Sequence, residues 1–468
     1  MKTYFYLIFA VILIIIPVEN FATKYDVNSQ ESFEVVQQKA FSGDTIVWQE
    51  GVYSDVVLDI SKSGLIIKAE TPGKTIFTGS SKLRIKGNNN LFSGFQYMNG
   101  NIGGDHIIII DGDYNHLTQL NIKDYYCKKY VIISANTQHN TLSYSNLENR
   151  IFKGDQNILS ILVSPNQPGY HTIRYCSFKN FEGAIPGGDA GVEPIRIGLS
   201  TQAEYISRSV VEYCYFTQCN GDGEIISHKS KQNVYRYNTF EGNQYGELVL
   251  RHGDAGIVYG NFFLNGFGGV RVVEGQGHVI FNNYFGGLSN RALNIMNYKA
   301  DPLDNILIAY NTFTDCENIK LGGYGLYPPT NVTFANNIFS EPKDDLFDNP
   351  TGDEKWIGNI SYGSLGMSRP EGIRENQPGL VLNSNGYYEL TESSTAIDSA
   401  QKGYPAIPPY AGLEIDGDIK LDLMQQERPS DISLKDIGCS EYSNEITVKP
   451  HATEDNTGPF YIHDHDHN

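Results

Sequence analysis

From about residue 115 the chain repeats one short pattern: an alternating apolar segment, then Asn or another small polar residue, any residue, and an aromatic or aliphatic one. It recurs at Asn121-Ile122, Asn146-Leu147, Cys176-Ser177-Phe178, Cys214-Tyr215-Phe216 and Asn238-Thr239-Phe240, and again at Asn261, Asn283, Asn311 and Asn337. From Phe216 the closing positions Phe240, Phe263, Phe285, Phe313 and Phe339 follow at 24, 23, 22, 28 and 26 residues. A period of this size is one coil of a solenoid, and the β-branched and aromatic content selects strands over helical repeats. The pattern therefore predicts an all-β, single-domain parallel β-helix with stacked Phe inside. Asn is expected at the corners, where it tolerates a left-handed conformation and bonds its own backbone. Gaps of 31 residues (Leu147 to Phe178) and 38 residues (Phe178 to Phe216) predict loops inserted at turns, where they line a binding face.

The ends of the chain break the pattern. Ser32 to Lys39 reads as a short helix that caps the open end of the solenoid, and alternation begins at Gly43-Asp44-Thr45-Ile46-Val47. After Ser340 the repeat fades into less regular structure that closes the other end by Tyr442, and 443–468 reads as a disordered tail. Its His463-Asp464-His465-Asp466-His467 is expected to be a solvated polar end. Met1-Lys2-Thr3, an apolar run from Tyr4 to Pro17 and a small residue at Ala22 predict a secretory signal peptide over 1–22. The expected product is a domain over 23–442, secreted or periplasmic in a bacterial cell, monomeric, and with no membrane contact after cleavage. The 468 residues suggest two or three globular domains, but a solenoid lengthens its core without thickening it and escapes that expectation.

Composition agrees with strands and turns: 47 Gly, 31 Tyr and 23 Phe. The formal net charge of −19 excludes nucleic acid as a partner, because phosphate binding needs a basic footprint. A polyanionic glycan meets the same repulsion, so it requires a local cationic groove. The six cysteines lack metal-type spacing; they are expected as buried thiols, with Cys214 and Cys219 near enough to bridge.

One segment carries candidate chemistry: Asp222-Gly223-Glu224-Ile225-Ile226-Ser227-His228-Lys229-Ser230. Asp222 and Glu224, two apart, share a face of a strand, and paired carboxylates beside a lysine suggest a hard-cation site next to a base. Arg251 follows Lys229 by 22 residues and Arg271 follows Arg251 by 20, each about one coil on. Neighbouring coils lie ~4.8 Å apart, so the three are expected as one cationic column. Lys229 is five residues from Glu224, an odd spacing that puts it on the other face unless a bend or bulge intervenes near Ser227-His228.

These residues also carry a resemblance. The run Ala69 to Ser81, Ile195-Arg196-Ile197-Gly198, Asp222 to Ser230, Leu250-Arg251-His252-Gly253, Gly260-Asn261-Phe262-Phe263 and Gly269-Val270-Arg271-Val272 resemble the family-six polysaccharide lyases, which comprise alginate lyases and chondroitinase B. Asp416-Gly417-Asp418 and Lys435 to Cys439 are similar to that family's closing motif, so the resemblance spans roughly 30–442. It implies a right-handed parallel β-helix, a catalytic lysine at Lys229 and a catalytic arginine at Arg251. It also implies calcium held by Asp222 and Glu224. The family's third ligand is an asparagine; that position is Ala190 here, and the adjacent Asp189 is the expected stand-in.

The activity so implied is β-elimination on a uronate polymer. The substrate carboxylate must be neutralised, a base must take the C5 proton, and the leaving 4-oxygen must receive one. Lys229 is the expected base, Arg251 the charge stabiliser or proton donor, Ca²⁺ the Lewis acid, and Arg271 and His252 the groups that grip substrate carboxylates. Alginate is the expected substrate, with chondroitin or dermatan sulfate as the alternative. A β-helix glycoside hydrolase using Asp222 and Glu224, and a noncatalytic glycan-binding β-helix, are readings of other classes.

Overall fold

Each coil contributes short strands to three long parallel sheets of 15, 12 and 14 strands, and consecutive neighbours in a sheet come from consecutive coils. This is the predicted right-handed parallel β-helix. The computed structural model describes residues 22–185, 190–297, 303–322, 327–410, 419–443 and 451–463. The expected signal peptide up to Phe21, Asp189 and Asp416-Gly417-Asp418 lie outside the described residues.

The interior is a ladder of rings. Phe178, Phe216, Phe240, Phe263, Phe285, Phe313 and Phe339 stack face to face with centroids 4.6–5.2 Å apart. The identical in-register position of each ring makes this stacking the direct product of the sequence period.

The asparagines behave differently from the expectation. The left-handed residue at the corner is the one before each Asn: Tyr237 (φ 57°), Gly260 (67°), Asn282 (51°), Tyr310 (53°) and Asn336 (54°). The Asn itself bonds along the solenoid axis. Asn261 Oδ1 accepts from Asn238 N (2.9 Å) and Asn238 Nδ2 (3.0 Å), and Asn261 Nδ2 donates to Asn283 Oδ1 (2.9 Å). The same contacts continue through Asn311, Asn337 and Asn359. Buried amides must find partners, and here each coil supplies those of the next.

The helix is Gln30–Lys39, capped by Ser29 and Ser32. It does close the first coil: Phe33 is fully buried with its ring 5.9 Å from Trp48. Its polar side satisfies the open edge of the 12-stranded sheet. Gln37 donates to Asp59 O (2.9 Å) and accepts from Ser61 N (2.8 Å), and Gln30 accepts from Val57 N (2.8 Å), so the edge strand Val57–Ile60 is covered.

The C-terminal part departs from expectation in two ways. It turns back along the outside of the coils: Tyr410 donates to Ala255 O (2.6 Å), and Arg428 lies over the Tyr310 ring at 4.7 Å while donating to Asn282 Oδ1 (2.9 Å). The tail expected to be disordered is packed over 451–463. Glu454 pairs with Lys179 (2.8 Å), Gly458 donates to Tyr175 O (2.9 Å), and Phe460 packs 4.7 Å from Tyr144. His463 Nε2 donates within this segment to Thr457 O (2.7 Å). His451 against the Phe262 ring (5.0 Å), Phe460 against Tyr144 and Tyr461 donating to Gln119 O (3.2 Å) give this segment its contact area on the coils. All six cysteines are buried free thiols, so Cys214 and Cys219 do not bridge.

Candidate active site

The register of the 12-stranded sheet decides which side chains meet. Gly198 pairs with Lys229, and His228 pairs with Leu250, so Lys229, which ends its strand, and Arg251, the residue after the next strand's end at Leu250, stand side by side. Val249 pairs with Arg271 and Leu250 with Val272. Arg271 thus falls in the neighbouring column, behind Arg196, Ser227 and Val249, and does not continue the column of Lys229 and Arg251. The reason is arithmetic: the coils here advance by 22 residues, and the spacing of 20 sets Arg271 back by two, still on the same face.

The irregularity needed between Glu224 and Lys229 is present, but earlier than expected. The strand Glu224–Lys229 shifts register between Glu224 and Ile226, so Glu224 pairs with Glu247 while Ile226 pairs with Leu248. Glu193, two residues ahead of Ile195, continues the Ile195–Ile226 register toward Glu224. Three carboxylates, Glu193, Glu224 and Glu247, therefore stand one per coil, all of them buried.

Each holds a cation. Glu193 Oε1 lies 3.5 Å from Arg196 and 4.0 Å from the Lys229 ammonium, Glu224 Oε1 accepts from Arg251 Nη1, and Glu247 Oε2 lies 2.8 Å from Arg271 Nε. Arg271 Nη2 also donates to Gly223 O (2.9 Å). His252, left-handed at φ 66°, pairs through Nδ1 with Glu274. Arg196 reaches back to Asn157 Oδ1 (2.7 Å), which also accepts from the Lys129 ammonium.

Burial and neighbours pull these groups in different directions. Burial pushes the Glu247 carboxyl up to about 7 against the pull of Arg271 and Arg291. Burial also raises Glu193, opposed by Arg196 and reinforced by Glu224. Glu224 goes the other way: burial raises it, but Arg251, Ser227 and Lys229 together outweigh that and hold it below its ordinary value. Lys129 is lowered to about 7 by burial, with Arg196 adding to the effect.

Of the three donors expected for calcium, Asp222 and Glu224 are among the described residues and Asp189 is not. Asp222 Oδ1 accepts from Glu224 N (2.9 Å) and Oδ2 from Gly191 N (2.6 Å), so both oxygens fasten backbone. Glu224 carries Arg251. Among the described residues, no three His, Cys, Asp or Glu groups converge as a metal site.

Three members of the constellation escaped the sequence reading. Glu247 lies 23 residues after Glu224, and coil arithmetic applied to acids as well as bases finds it. Arg196 sits inside Ile195-Arg196-Ile197-Gly198. Glu193 is 31 residues before Glu224, and the inserted loop hides its coil relation.

A cationic row over buried carboxylates thus lies on one sheet of a parallel β-helix. The family model for chondroitinase B matches residues 27–344, more than half of the chain, and the chain belongs to that family, the family-six polysaccharide lyases. The chain is similar to the family-six alginate lyase AlyGC, at 26% identity and a TM-score of 0.71 over 81% of this chain. It spans 58% of the AlyGC chain. It also shares its fold with a mannuronic-acid-specific family-six lyase from human gut microbiota (23% identity, TM-score 0.63, 76% of this chain and 91% of that one). The family-six lyase Pedsa3628 from Pseudopedobacter saltans shares the fold as well (21%, 0.61, 77% and 98%). A search of curated protein sequences found no match.

Proposed function

We propose that this chain is an exported lyase that cleaves alginate by β-elimination, with Lys229 as the base and Arg251 as the group that stabilises charge on the substrate carboxylate. The observation that carries the reading is the register: Lys229 ends one strand of the 12-stranded sheet and Arg251 directly follows the last residue of the next, so the two stand on adjacent coils. Similarity to the alginate lyase AlyGC supports alginate as the polymer.

In this reading the uronate carboxylate lies against the guanidinium groups, which lowers the cost of the second negative charge that forms when C5 is deprotonated. The Lys229 amine takes the C5 proton and becomes an ammonium, the electron pair forms the C4–C5 double bond, and the C4–oxygen bond breaks. Glu193 stands within 4.0 Å to receive the resulting ammonium. The leaving oxygen takes a proton from water or from a group on the Arg251 side of the cleft. His252, held by Glu274, flanks the polymer beside Arg251, and Arg271 does so on the next coil.

Incubation with mannuronate-rich and guluronate-rich alginate blocks and with dermatan sulfate, followed by ultraviolet absorbance of the unsaturated uronate, tests this. Absorbance on alginate supports the reading. Turnover of dermatan sulfate alone assigns the other substrate of the family. Reducing ends without absorbance mean hydrolysis, and binding without turnover means a noncatalytic β-helix.

A further inference from the structure

Neutralising the substrate carboxylate is the work for which a divalent ion was expected, yet this sheet already carries positive charge at that place. Glu193, Glu224 and Glu247 are stacked one per coil, and Arg196, Lys229, Arg251 and Arg271 contact them. Four cations thus face these three carboxylates, and Asp222 beside Glu224 is a fourth, so the charges of the site balance if all are ionised. The cations are the more accessible partners: the Arg251 side chain is 31% exposed against 6% for Glu224, and Arg271 is 21% against 6% for Glu247. Acids beneath and bases above is the arrangement of a surface that presents cations, with the carboxylates fixing their positions.

The same atoms disfavour calcium, which takes roughly six to eight oxygen ligands. Asp222 has committed both oxygens to backbone N–H groups. Ala190 supplies a methyl where the resemblance puts an asparagine amide, and the expected stand-in, Asp189, lies outside the described residues. Glu193 Oε2, Glu224 Oε2 and Glu247 Oε1 are buried without a hydrogen-bond partner among the described residues, but each belongs to a carboxylate whose other oxygen already faces a cation. An added dication there competes for these carboxylates with the four positive side chains that already hold them.

We propose that guanidinium groups replace the metal in this chain: Arg251, with Arg196 and Arg271 in the adjacent column, neutralises the uronate carboxylate, and Glu193, Glu224 and Glu247 are positioning residues for these cations. A planar guanidinium matches a carboxylate through two parallel N–H bonds, which an ammonium cannot do. Arg196 is the new contact. It stands one coil before Lys229, so it extends the cationic row to the opposite side of the base from Arg251. This inference rests on the lyase reading for its activity arm, and on geometry alone for its metal arm.

The test uses the full chain after exhaustive treatment with EDTA. Calorimetric titration with CaCl₂ is expected to show no binding, and elemental analysis well under one calcium per chain. Initial rates on alginate with chelator and with millimolar calcium are expected to agree within about twofold, since no metal supplies the Lewis acid. One tightly bound calcium per chain, or a rate lost with chelator and restored by calcium, overturns the proposal. Arg196→Gln is expected to raise KM at least roughly tenfold, with Arg196→Lys recovering only part of it, because charge without the fork is not enough. Both variants are to be checked for an unchanged unfolding midpoint. An Arg196→Gln chain that keeps wild-type KM also overturns the proposal. A chain inert on every uronate polymer under both conditions defeats the lyase reading instead, and the calorimetry still decides the metal arm.

Discussion

Glu247→Gln isolates the electrostatics of the buried carboxylate row. Burial raises the Glu247 carboxyl from its ordinary 4.5 to about 7 in the folded chain, despite Arg271 at 2.8 Å. A raised folded-state pKa means that folding favours the protonated form. Stability from this group is complete below about pH 4.5 and falls as pH rises toward 7, after which the loss is constant. The interval corresponds to about 3 kcal/mol at pH 8. Glutamine mimics the protonated acid and does not titrate, so the variant should match wild type near pH 4.5 and exceed it by about 3 kcal/mol at pH 8. The comparison cancels the other titrating groups, which both proteins share. Urea unfolding of both proteins across pH 4.5–8, followed by circular dichroism, gives the difference directly. Unfolding midpoints that run parallel over the whole range, or a variant weaker than wild type at pH 8, refute the assigned burial cost. Activity should move in the opposite sense, because Arg271 loses the anion that holds it against Gly223.

Three further outcomes are expected. Lys229→Ala should lower turnover roughly a thousandfold with little change in unfolding midpoint, as read by ultraviolet product formation and thermal melts; near-normal turnover removes Lys229 as base. Phe263→Ala should destabilise the chain by about 4 kcal/mol in denaturant unfolding, because the ring is buried and stacked at 4.8 Å on both sides. Deleting residues from 451 onward should lower the thermal midpoint and speed proteolysis, since it uncovers Tyr144 and removes the Glu454–Lys179 pair. Unchanged melting of that truncated chain shows the segment to be an ornament on the coils.

The period of the aromatic and Asn positions contained the architecture, because each coil of a solenoid meets only its neighbours and a residue's partner is the same residue one period on. The Phe ladder, the helical cap and the meeting of Lys229 with Arg251 all follow from counting along the chain. Counting also failed in instructive places. Arg271 sits two positions back because registry is set by backbone pairing at 22 residues, not by the spacing of charged side chains. Glu193 was hidden since an inserted loop changes the count without changing the register. Which atom each carboxylate touches was also beyond the sequence. Asp222 and Glu224 read as a matched pair, yet one fastens backbone amides and the other a guanidinium. That division depends on the register shift after Glu224 and on burial, which separate two chemically equal acids only when the coils close around them.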